Sequence, residues 1–283
     1  MPAELELRTP YLRLAARVWG SPDGLPVLAL HGWLDNAASF DPLALLLPGL
    51  RLVALDLPGH GYSSRRPRGV HYHLVDFIPD VVAAADALGW ERFAVLGHSL
   101  GAVLAAFMAA VIPERVTRLA LIEGLGPPLS QPTDSPIHLR KAMDQMCTLP
   151  RKRLPVYPTL EAAVQARSAA SGLPWAAAKL LVERNVQQIG KGYGWRSDPR
   201  LRFVSPLYLT EAQVLAYLDR VQAPTLLICG ADGYLVKRDY MQERYTHLPD
   251  LTVQTLPGGH HLHLEHPAAC VRLLLPFLAA DRN

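Results

Sequence analysis

Short runs of apolar residues recur along the first 125 positions, and each run ends in polar residues or glycine. Two segments of alternating apolar and polar residues, between positions 5 and 19, flank Thr9-Pro10 and predict an antiparallel pair of strands. Four continuous runs follow at residues 26–30, 51–55, 93–96 and 118–122. Runs of this length are typical of strands that are buried on both faces of a parallel sheet.

Helical patterns separate these runs. Residues 74–88, which carry an alanine-rich stripe, and residues 100–111 have their apolar positions at helical spacing. The alternation returns near the end of the chain, with apolar runs at 225–229 and 251–256, a helical pattern near 237–246 and a last helix after Pro267. Alternating strands and helices predict an α/β fold with a doubly wound, mostly parallel sheet.

The rhythm of strand and helix stops between residues 125 and 222. Prolines there punctuate alanine-, leucine- and arginine-rich helical patterns at about 137–149, 159–171, 174–189 and 210–220, with no strand-like run between them. We therefore predict one core, residues 1–124 and 223–283, interrupted by a helical insertion, residues 125–222. We expect this insertion to form a cap, or lid, over the sheet.

The composition agrees with one large folded core. Of the 283 residues, 50% are hydrophobic and 19% are charged, which excludes disorder for the chain as a whole. Lysine and arginine number 28 against 25 aspartate and glutamate residues, so no strong basic field indicates a nucleic-acid partner. The three cysteines lie far apart, as expected for reduced thiols in a cytoplasmic protein. The N-terminus lacks the apolar segment of a signal peptide, and no apolar run approaches the roughly 20 residues of a membrane span.

The segment Gly97-His98-Ser99-Leu100-Gly101 has the form G-x-S-x-G and lies between a predicted strand and a predicted helix. In this context the serine sits on a strained turn, where larger residues two positions away would clash. The helix N-terminus beneath the turn favours developing negative charge. Ser99 is therefore the candidate nucleophile.

Four motifs in chain order resemble the α/β-hydrolase superfamily. They are His31-Gly32, Asp56-Leu-Pro-Gly-His-Gly-Tyr-Ser63, Gly97-His-Ser-Leu-Gly101 and Gly259-His260. The resemblance covers nearly the whole chain, with the insertion in the usual cap position. The Gly-His-x-x-His-Leu ending and the stretch from Gly192 to Arg200 resemble the serine hydrolase-like branch of that superfamily. By the same resemblance, His60 is a structural residue.

The resemblance also implies an oxyanion hole. In α/β-hydrolases the loop after an early strand supplies the second donor, so the backbone N–H groups of Trp33 and Leu100 are expected to form this hole. His31 begins that loop, and we expect it to brace the loop beside the substrate rather than to carry a proton.

The base lies in a tract of four histidines at residues 258–267, which follows the last predicted strand. Hydrolases of this type place the base directly after a glycine, with an acid often five residues further on. His260 and Glu265 satisfy both conditions. His261 is the alternative base, and His263 and His266 are expected to brace the loop or to start the helix.

The same tract suggests an alternative of another class. The pattern His261-x-His263-x-Glu265-His266 resembles the metal box of metallo-β-lactamase-fold hydrolases and would indicate a zinc-dependent hydrolase. That family needs further histidine and acidic ligands well downstream, whereas no histidine follows His266. We therefore predict neither a metal nor another cofactor.

The acid of the triad has two candidates. Most such enzymes carry G-x-x-D after the strand that follows the cap, but Gly230-Ala231-Asp232-Gly233 places the aspartate one position early. The other known position is the end of the strand before the cap, where Glu123 stands. The displaced Asp232 turn favours Glu123, and both residues remain candidates.

A serine nucleophile and this resemblance imply acyl transfer to water. We expect the substrate to be a small-molecule carboxylic ester with a hydrophobic acyl group of short to medium length, and the enzyme to be a monomer or homodimer. Position 99 is not aspartate, which disfavours epoxide hydrolysis and dehalogenation. A carbon–carbon bond hydrolase and a non-catalytic ligand receptor, both with an intact triad, are the alternatives. His31, Met143 and Trp195 are the candidate substrate contacts, whereas arginines 196, 200 and 202 are expected to form salt bridges.

Overall fold

The computed structural model describes residues 2–149 and 154–280, and one eight-stranded sheet passes through them. The strands of the chain are β1 (Ala3–Arg8), β2 (Arg13–Trp19), β3 (Leu25–Leu30), β4 (Leu50–Leu55), β5 (Phe93–His98), β6 (Val116–Ile122), β7 (Val186–Ile189), β8 (Gly192–Trp195), β9 (Thr225–Gly230) and β10 (Leu251–Leu256). The large sheet has the order β1-β2-β4-β3-β5-β6-β9-β10. Strand β2 pairs antiparallel with both β1 and β4, and the remaining pairings of the large sheet are parallel.

Helices cover both faces of this sheet. The helices are α1 (Asp41–Ala44), α2 (Phe77–Ala87), α3 (Leu100–Val111), α4 (Ser135–Thr148), α5 (Leu160–Ser171), α6 (Trp175–Asn185), α7 (Glu211–Leu218), α8 (Met241–Thr246), α9 (Leu262–Glu265) and α10 (Pro267–Leu278). Side chains of α2 and α3 pack on one face, and side chains of α1 and α10 pack on the other. This arrangement confirms the predicted α/β fold with a doubly wound, mostly parallel sheet.

The alternation of side chains along a strand explains the continuous apolar runs. In β3, Leu28 and Leu30 belong to the core cluster under α2 and α3, whereas Val27 and Ala29 belong to the cluster under α1 and α10. Successive strand residues point to opposite faces, so a strand between two helical layers needs apolar residues at every position.

The region between β6 and β9 contains helices α4 to α7 and also a β-hairpin. Strands β7 and β8 pair antiparallel, with Val186 opposite Trp195. The prediction of a wholly helical insertion, with one helix running to residue 189, is therefore wrong: α6 ends at Asn185. The physical reason is the turn at Gly190, whose φ of 59° suits a tight hairpin with glycine at its first central position.

Buried arginines tie this cap to the sheet. Arg184 of α6 is 2% exposed, and its Nε lies 3.0 Å from both carboxylate oxygens of Asp56 at the end of β4. Its Nη1 also donates to both oxygens of Glu4. Arg200 is likewise buried and donates to Asp198 and to the carbonyl groups of Arg66, Pro67 and Val70. Arg200 therefore forms a salt bridge, as expected from the sequence, but a buried one rather than an exposed one.

Two further features concern thiols and membranes. Cys229 and Cys270 are buried free thiols, and Cys147 is an exposed one. Within residues 2–149 and 154–280, no helix combines the length and the apolar character needed to cross a bilayer.

Candidate active site

Ser99 lies on a sharp turn between β5 and α3. Its φ of 51° and ψ of −116° are unfavourable for a residue with a side chain. The flanking glycines permit this turn, because a Cβ at Gly97 would lie 2.5 Å from backbone atoms of α3 and a Cβ at Gly101 would lie 1.9 Å from the Leu30 carbonyl oxygen. The turn therefore holds the serine between the sheet and the start of the helix.

Ser99, His260 and Glu123 form a continuous chain of hydrogen bonds. Ser99 Oγ lies 2.9 Å from His260 Nε2, and His260 Nδ1 lies 3.1 Å from Glu123 Oε2. A carboxylate only accepts, so the proton of the neutral imidazole is assigned to Nδ1, and Nε2 is left to accept from the serine hydroxyl. The sequence-predicted nucleophile, base and one of the two candidate acids thus meet at the carboxyl edge of the sheet.

Glu123 is held rigidly at the end of β6. It is 1% exposed, and its backbone φ of 51° is positive. Its Oε1 accepts from the Gly230 N–H at 2.7 Å, and its Oε2 accepts from the Tyr234 N–H at 2.7 Å as well as from His260. These hydrogen bonds satisfy a buried carboxylate and fix the atom that faces the imidazole.

Gly233 leaves room for the Glu123 carboxylate. A Cβ at position 233 would lie 2.2 Å from Glu123 Oε1 and 2.5 Å from Glu123 Cδ. The carboxylate of Glu123 therefore occupies the space into which a side chain at 233, the position of the usual acid, would extend.

Asp232 does not reach the histidine. Its side chain is exposed, and its backbone carbonyl accepts from Lys237 Nζ at 3.0 Å. Of the two candidate acids, the structure thus brings Glu123 and not Asp232 into hydrogen-bond contact with His260, because Asp232 lies on an exposed turn. Glu265, the acid five residues after His260, instead accepts from the Gly259 N–H at 3.3 Å and braces the loop.

The two expected oxyanion donors lie on the loop after β3, which carries Trp33, and at the start of α3, which carries Leu100. Leu100 begins α3, and among the described residues neither its N–H nor that of Trp33 has an acceptor. Leu34, the residue after Trp33, has a φ of 62°, and its N–H donates to His60 Nε2 at 3.2 Å. In residues 2–149 and 154–280, the non-glycine residues with positive φ are Leu34, Ser99 and Glu123, so backbone strain is concentrated at this site.

His31 and His60 brace this loop from below. His31 is fully buried: its Nδ1 donates to the Gly32 carbonyl at 2.7 Å, and its Nε2 accepts from the Leu57 N–H at 3.0 Å. Burial, together with the neighbouring His60, lowers the pKa of His31 to about 3, so this imidazole is neutral. His31 thus has the expected bracing position, but its prediction as a substrate contact is wrong because no part of its side chain is accessible.

The cap residues predicted to touch substrate have different environments. Met143 on α4 is 54% exposed. Trp195 on β8 is half-buried and packs in the cap's own apolar cluster, with its ring 5.5 Å from that of Tyr157. Trp33 is 51% exposed, and its indole Nε1 donates to the Leu201 carbonyl of the cap at 2.8 Å. The hydrogen bond to Leu201 therefore fixes the Trp33 ring next to the Trp33 backbone N–H, which is one of the two expected oxyanion donors.

Three further histidines, His98, His261 and His263, form a cluster with His260. His98, the residue before the nucleophile, donates from Nε2 to the His260 carbonyl at 2.8 Å, and its ring centroid is 4.1 Å from that of His263. His263 is hydrogen-bonded to Ser39 at 2.7 Å, and His261 contacts Asp35 at 3.4 Å. Within the described residues, no three histidine, cysteine, aspartate or glutamate side chains converge as a metal-binding group. The tract from His261 to His266 is therefore not arranged as a ligand set.

Sequence reasoning missed three residues of this site. His98 occupies a variable position of the G-x-S-x-G motif, Asp35 lies in the loop after Trp33, and Tyr234 contributes its N–H to Glu123 with its ring 6.2 Å from that of His260. The one sequence signal for Asp35 is its place in the polar turn that ends a predicted strand.

The chain is similar to known proteins over nearly its whole length. The family model described as alpha/beta hydrolase fold matches residues 26–267. The serine hydrolase-like protein of Danio rerio is 33% identical over 290 residues, which cover 98% of this chain and 88% of the relative. A solved hypothetical protein from Pseudomonas aeruginosa PAO1 is 44% identical with a TM-score of 0.93, covering 98% of this chain and 99% of that one. The thioesterase domain from the curacin biosynthetic pathway is 27% identical with a TM-score of 0.88, covering 97% of this chain and 99% of that domain.

The family match and the geometry of the sheet lead to one conclusion. The chain belongs to the α/β-hydrolase family. Within that family it falls in the serine hydrolase-like branch, which confirms the resemblance seen in the motifs. Hydrolysis is the class of reaction that this membership supports.

Proposed function

We propose that this protein is a serine hydrolase that cleaves carboxylic esters through an acyl-enzyme on Ser99. The observation that carries the proposal is the unbroken chain from Ser99 Oγ to His260 Nε2, at 2.9 Å, and from His260 Nδ1 to Glu123 Oε2, at 3.1 Å. Both distances fall in the range in which an adjacent base activates a hydroxyl nucleophile.

The first step forms the acyl-enzyme. Ser99 Oγ attacks the ester carbonyl carbon while its proton passes to His260 Nε2, and the carbonyl electrons move onto the oxygen. The N–H groups of Trp33 and Leu100 donate to this oxyanion. When the tetrahedral intermediate collapses, the C–O bond to the alcohol breaks and His260 Nε2 gives its proton to the departing oxygen.

The second step releases the acid. A water molecule gives a proton to His260 Nε2 as its oxygen attacks the acyl carbon, and the bond to Ser99 Oγ then breaks as the serine regains its proton. Glu123 holds Nδ1–H throughout and stabilises the imidazolium that forms in each step. The hydrogen bonds from Gly230 and Tyr234 keep this carboxylate in place.

The proposed substrate is a small ester with a hydrophobic acyl group of short to medium length. Exposed apolar side chains on the cap and on the loop after β3, namely Met143, Leu139 and Trp33, support an apolar acyl group. The thioesterase domain from the curacin biosynthetic pathway is a separate protein that is 27% identical to this chain. This similarity supports testing acyl thioesters, which would react by the same acyl-transfer chemistry.

The test is hydrolysis of p-nitrophenyl esters from C2 to C12 by the wild type and Ser99→Ala, with and without a chelator. We expect turnover that the chelator leaves unchanged, with a chain-length optimum between the ends of the series. In the Ser99→Ala variant we expect a loss of about 10⁴-fold or more, because the nucleophile is absent.

Other outcomes would contradict the proposal in distinct ways. Turnover that survives Ser99→Ala would remove Ser99 as the nucleophile, and turnover lost to the chelator would indicate a metal-dependent hydrolase. A wild type that hydrolyses neither esters nor thioesters would indicate a carbon–carbon bond hydrolase or a ligand receptor.

A further inference from the structure

Asp35 connects the cap to three loops of the candidate active site. This residue lies in the loop after β3 and is 1% exposed. Its Oδ1 lies 2.5 Å from Nη2 of Arg167, a residue of cap helix α5. Its Oδ2 lies 3.4 Å from Nε2 of His261 and 3.8 Å from Nδ1 of His98. One buried carboxylate therefore meets the oxyanion loop, the nucleophile turn, the His260 loop and the cap.

The two imidazoles that face Asp35 also hold His260. His98 donates from Nε2 to the His260 carbonyl, and its ring centroid is 5.0 Å from that of His260. His261 is the next residue in the chain, with its ring centroid 5.2 Å from that of His260. A change in the charge near Asp35 is therefore transmitted to the base through two direct neighbours.

Arg167 supplies the cation that this buried carboxylate needs. Burial by itself raises the pKa of Asp35, but the contact with His261 and the charges of His261, Arg167 and His98 outweigh it and hold the pKa well below its usual range. Asp35 is thus ionised. An ionised carboxylate among imidazoles would draw protons onto them, and the adjacent guanidinium offsets that attraction.

The arrangement leaves two buried atoms without a hydrogen bond. Among the described residues, neither Asp35 Oδ2 nor His98 Nδ1 has a hydrogen-bond partner, although the two face each other at 3.8 Å. An unpaired buried polar atom costs stability and calls for an explanation. This cost supports a role for the pair beyond packing.

We propose that Arg167 and Asp35 form a positioning ion pair through which the cap sets the placement and protonation of the His260 loop. The inference rests on the proposed function, in which His260 is the base. A second contact joins the cap to the loop after β3, which carries Asp35: Asn36 Nδ2 donates to the Leu181 carbonyl at 2.8 Å. We expect this contact to hold the cap in place when Arg167 is substituted.

The charged and titratable groups around this pair belong to several elements. Arg167, His261 and His98 face the Asp35 carboxylate directly, and His31 and His60 interact with it electrostatically from below the loop. His263 faces His98 and His261. Glu123 and Ser99 face His260 from the other side. Substituting Asp35 or Arg167 changes the charge beside His98 and His261 and leaves the other groups named here in place.

The test compares the pH dependence of kcat and KM from pH 5 to 9 for the wild type and variants of the pair. In Arg167→Gln the uncompensated carboxylate stabilises imidazolium, so we expect the acidic limb of kcat/KM to move to higher pH by about half a unit or more. In Asp35→Asn the uncompensated guanidinium disfavours imidazolium, so the limb moves to lower pH. We expect the double variant to return close to the wild type and Arg167→Lys to retain the wild-type limb, with KM within about twofold throughout.

The matched control is Arg140→Gln, which removes an arginine of the same cap from an exposed pair with Asp144 and should leave the limb unmoved. The proposal would be overturned if the acidic limb of kcat/KM did not move in the single variants, or if it moved in the same direction in both. If Asp35→Asn does not fold, the contrast between Arg167→Gln and Arg167→Lys decides. A wild type that neither turns over esters nor labels at Ser99 with a fluorophosphonate would instead refute the proposed function.

Discussion

The nucleophile turn and the acid site are assembled in opposite ways. Ser99 is placed by a continuous stretch of five residues, because the glycines at 97 and 101 leave room for the strained turn. Glu123 is placed by contacts with Gly230, Tyr234 and His260, each more than 100 positions away. A local motif can therefore be recognised in the sequence, whereas the acid becomes evident when the strands are assembled.

The comparison indicates that the carboxylate beside His260 can come from a different strand and still reach the imidazole. The space at Gly233 and the carboxylate of Glu123 are complementary, since a Cβ at 233 would lie 2.2 Å from Glu123 Oε1. The nucleophile turn has no such alternative, because a Cβ at 101 would clash with backbone, at 1.9 Å from the Leu30 carbonyl oxygen. We expect that the acid can be moved to another position and that the nucleophile cannot.

Among the changes that test this comparison, the largest effect is expected for Glu123→Gln. The amide cannot stabilise the imidazolium and permits the wrong tautomer of His260, so kcat for an ester should fall by about 10³- to 10⁴-fold. The measurement is steady-state hydrolysis at pH 8, with circular dichroism to confirm the fold. A loss below tenfold would show that Glu123 is not the acid.

The next effect concerns stability at acidic pH and involves the buried imidazoles around the nucleophile turn. His31, His60, His98 and His263 are fully buried, and burial lowers the pKa of each. Their unfolded forms bind protons below about pH 6.5, so the free energy of unfolding should fall as pH decreases, by up to about 1.4 kcal/mol per pH unit for each histidine.

Urea denaturation between pH 7 and 5 measures this slope. His31→Asn should reduce this slope by up to about 1.4 kcal/mol per pH unit, the contribution of one bound proton. A free energy of unfolding that stays level over this range would show that these imidazoles are not buried in their neutral form.

A smaller effect tests relocation directly. Glu123→Gly removes the acid and accepts the positive φ at this position, and adding Gly233→Asp places a carboxylate in the vacated space. We expect the double variant to regain about 10- to 100-fold of the activity lost in Glu123→Gly. Gly233→Asp alone should lower activity, because its side chain would collide with Glu123. A double variant no more active than Glu123→Gly would refute the complementarity of the two positions.

The smallest effect is expected for Asp232→Asn. The Asp232 side chain is exposed and lies outside the hydrogen-bond chain, so kcat/KM should remain within about twofold of the wild type. The variant serves as the matched carboxylate-to-amide control for Glu123→Gln, measured in the same assay. A loss as large as that of Glu123→Gln would restore Asp232 as a candidate acid.

Much of the fold could be predicted from the sequence because it depends on local patterns. The apolar runs gave the strands, since residues such as Val27 and Leu28 pack on opposite helical layers. The hairpin of β7 and β8 was missed because its residues continue the helical pattern of α6, and the turn at Gly190 overrides that pattern.

The site could be predicted as far as its residues follow motifs. Ser99 and His260 each adjoin a glycine in a recognisable loop, and Glu123 was one of two alternatives. Asp35 and Arg167 lie 132 positions apart and meet through packing of the cap, for which a single sequence holds no signal. The bracing role of His31 was expected, but its complete burial required the assembled loop.

The most direct test of whether His260 activates Ser99 is intact-mass analysis and peptide mapping after treatment with a fluorophosphonate. We expect one adduct per chain on Ser99 of the wild type, at a rate reduced at least about 100-fold in His260→Gln, because the hydroxyl then lacks its base. An adduct on another residue, or equal labelling of the wild type and His260→Gln, would contradict a nucleophile activated by His260.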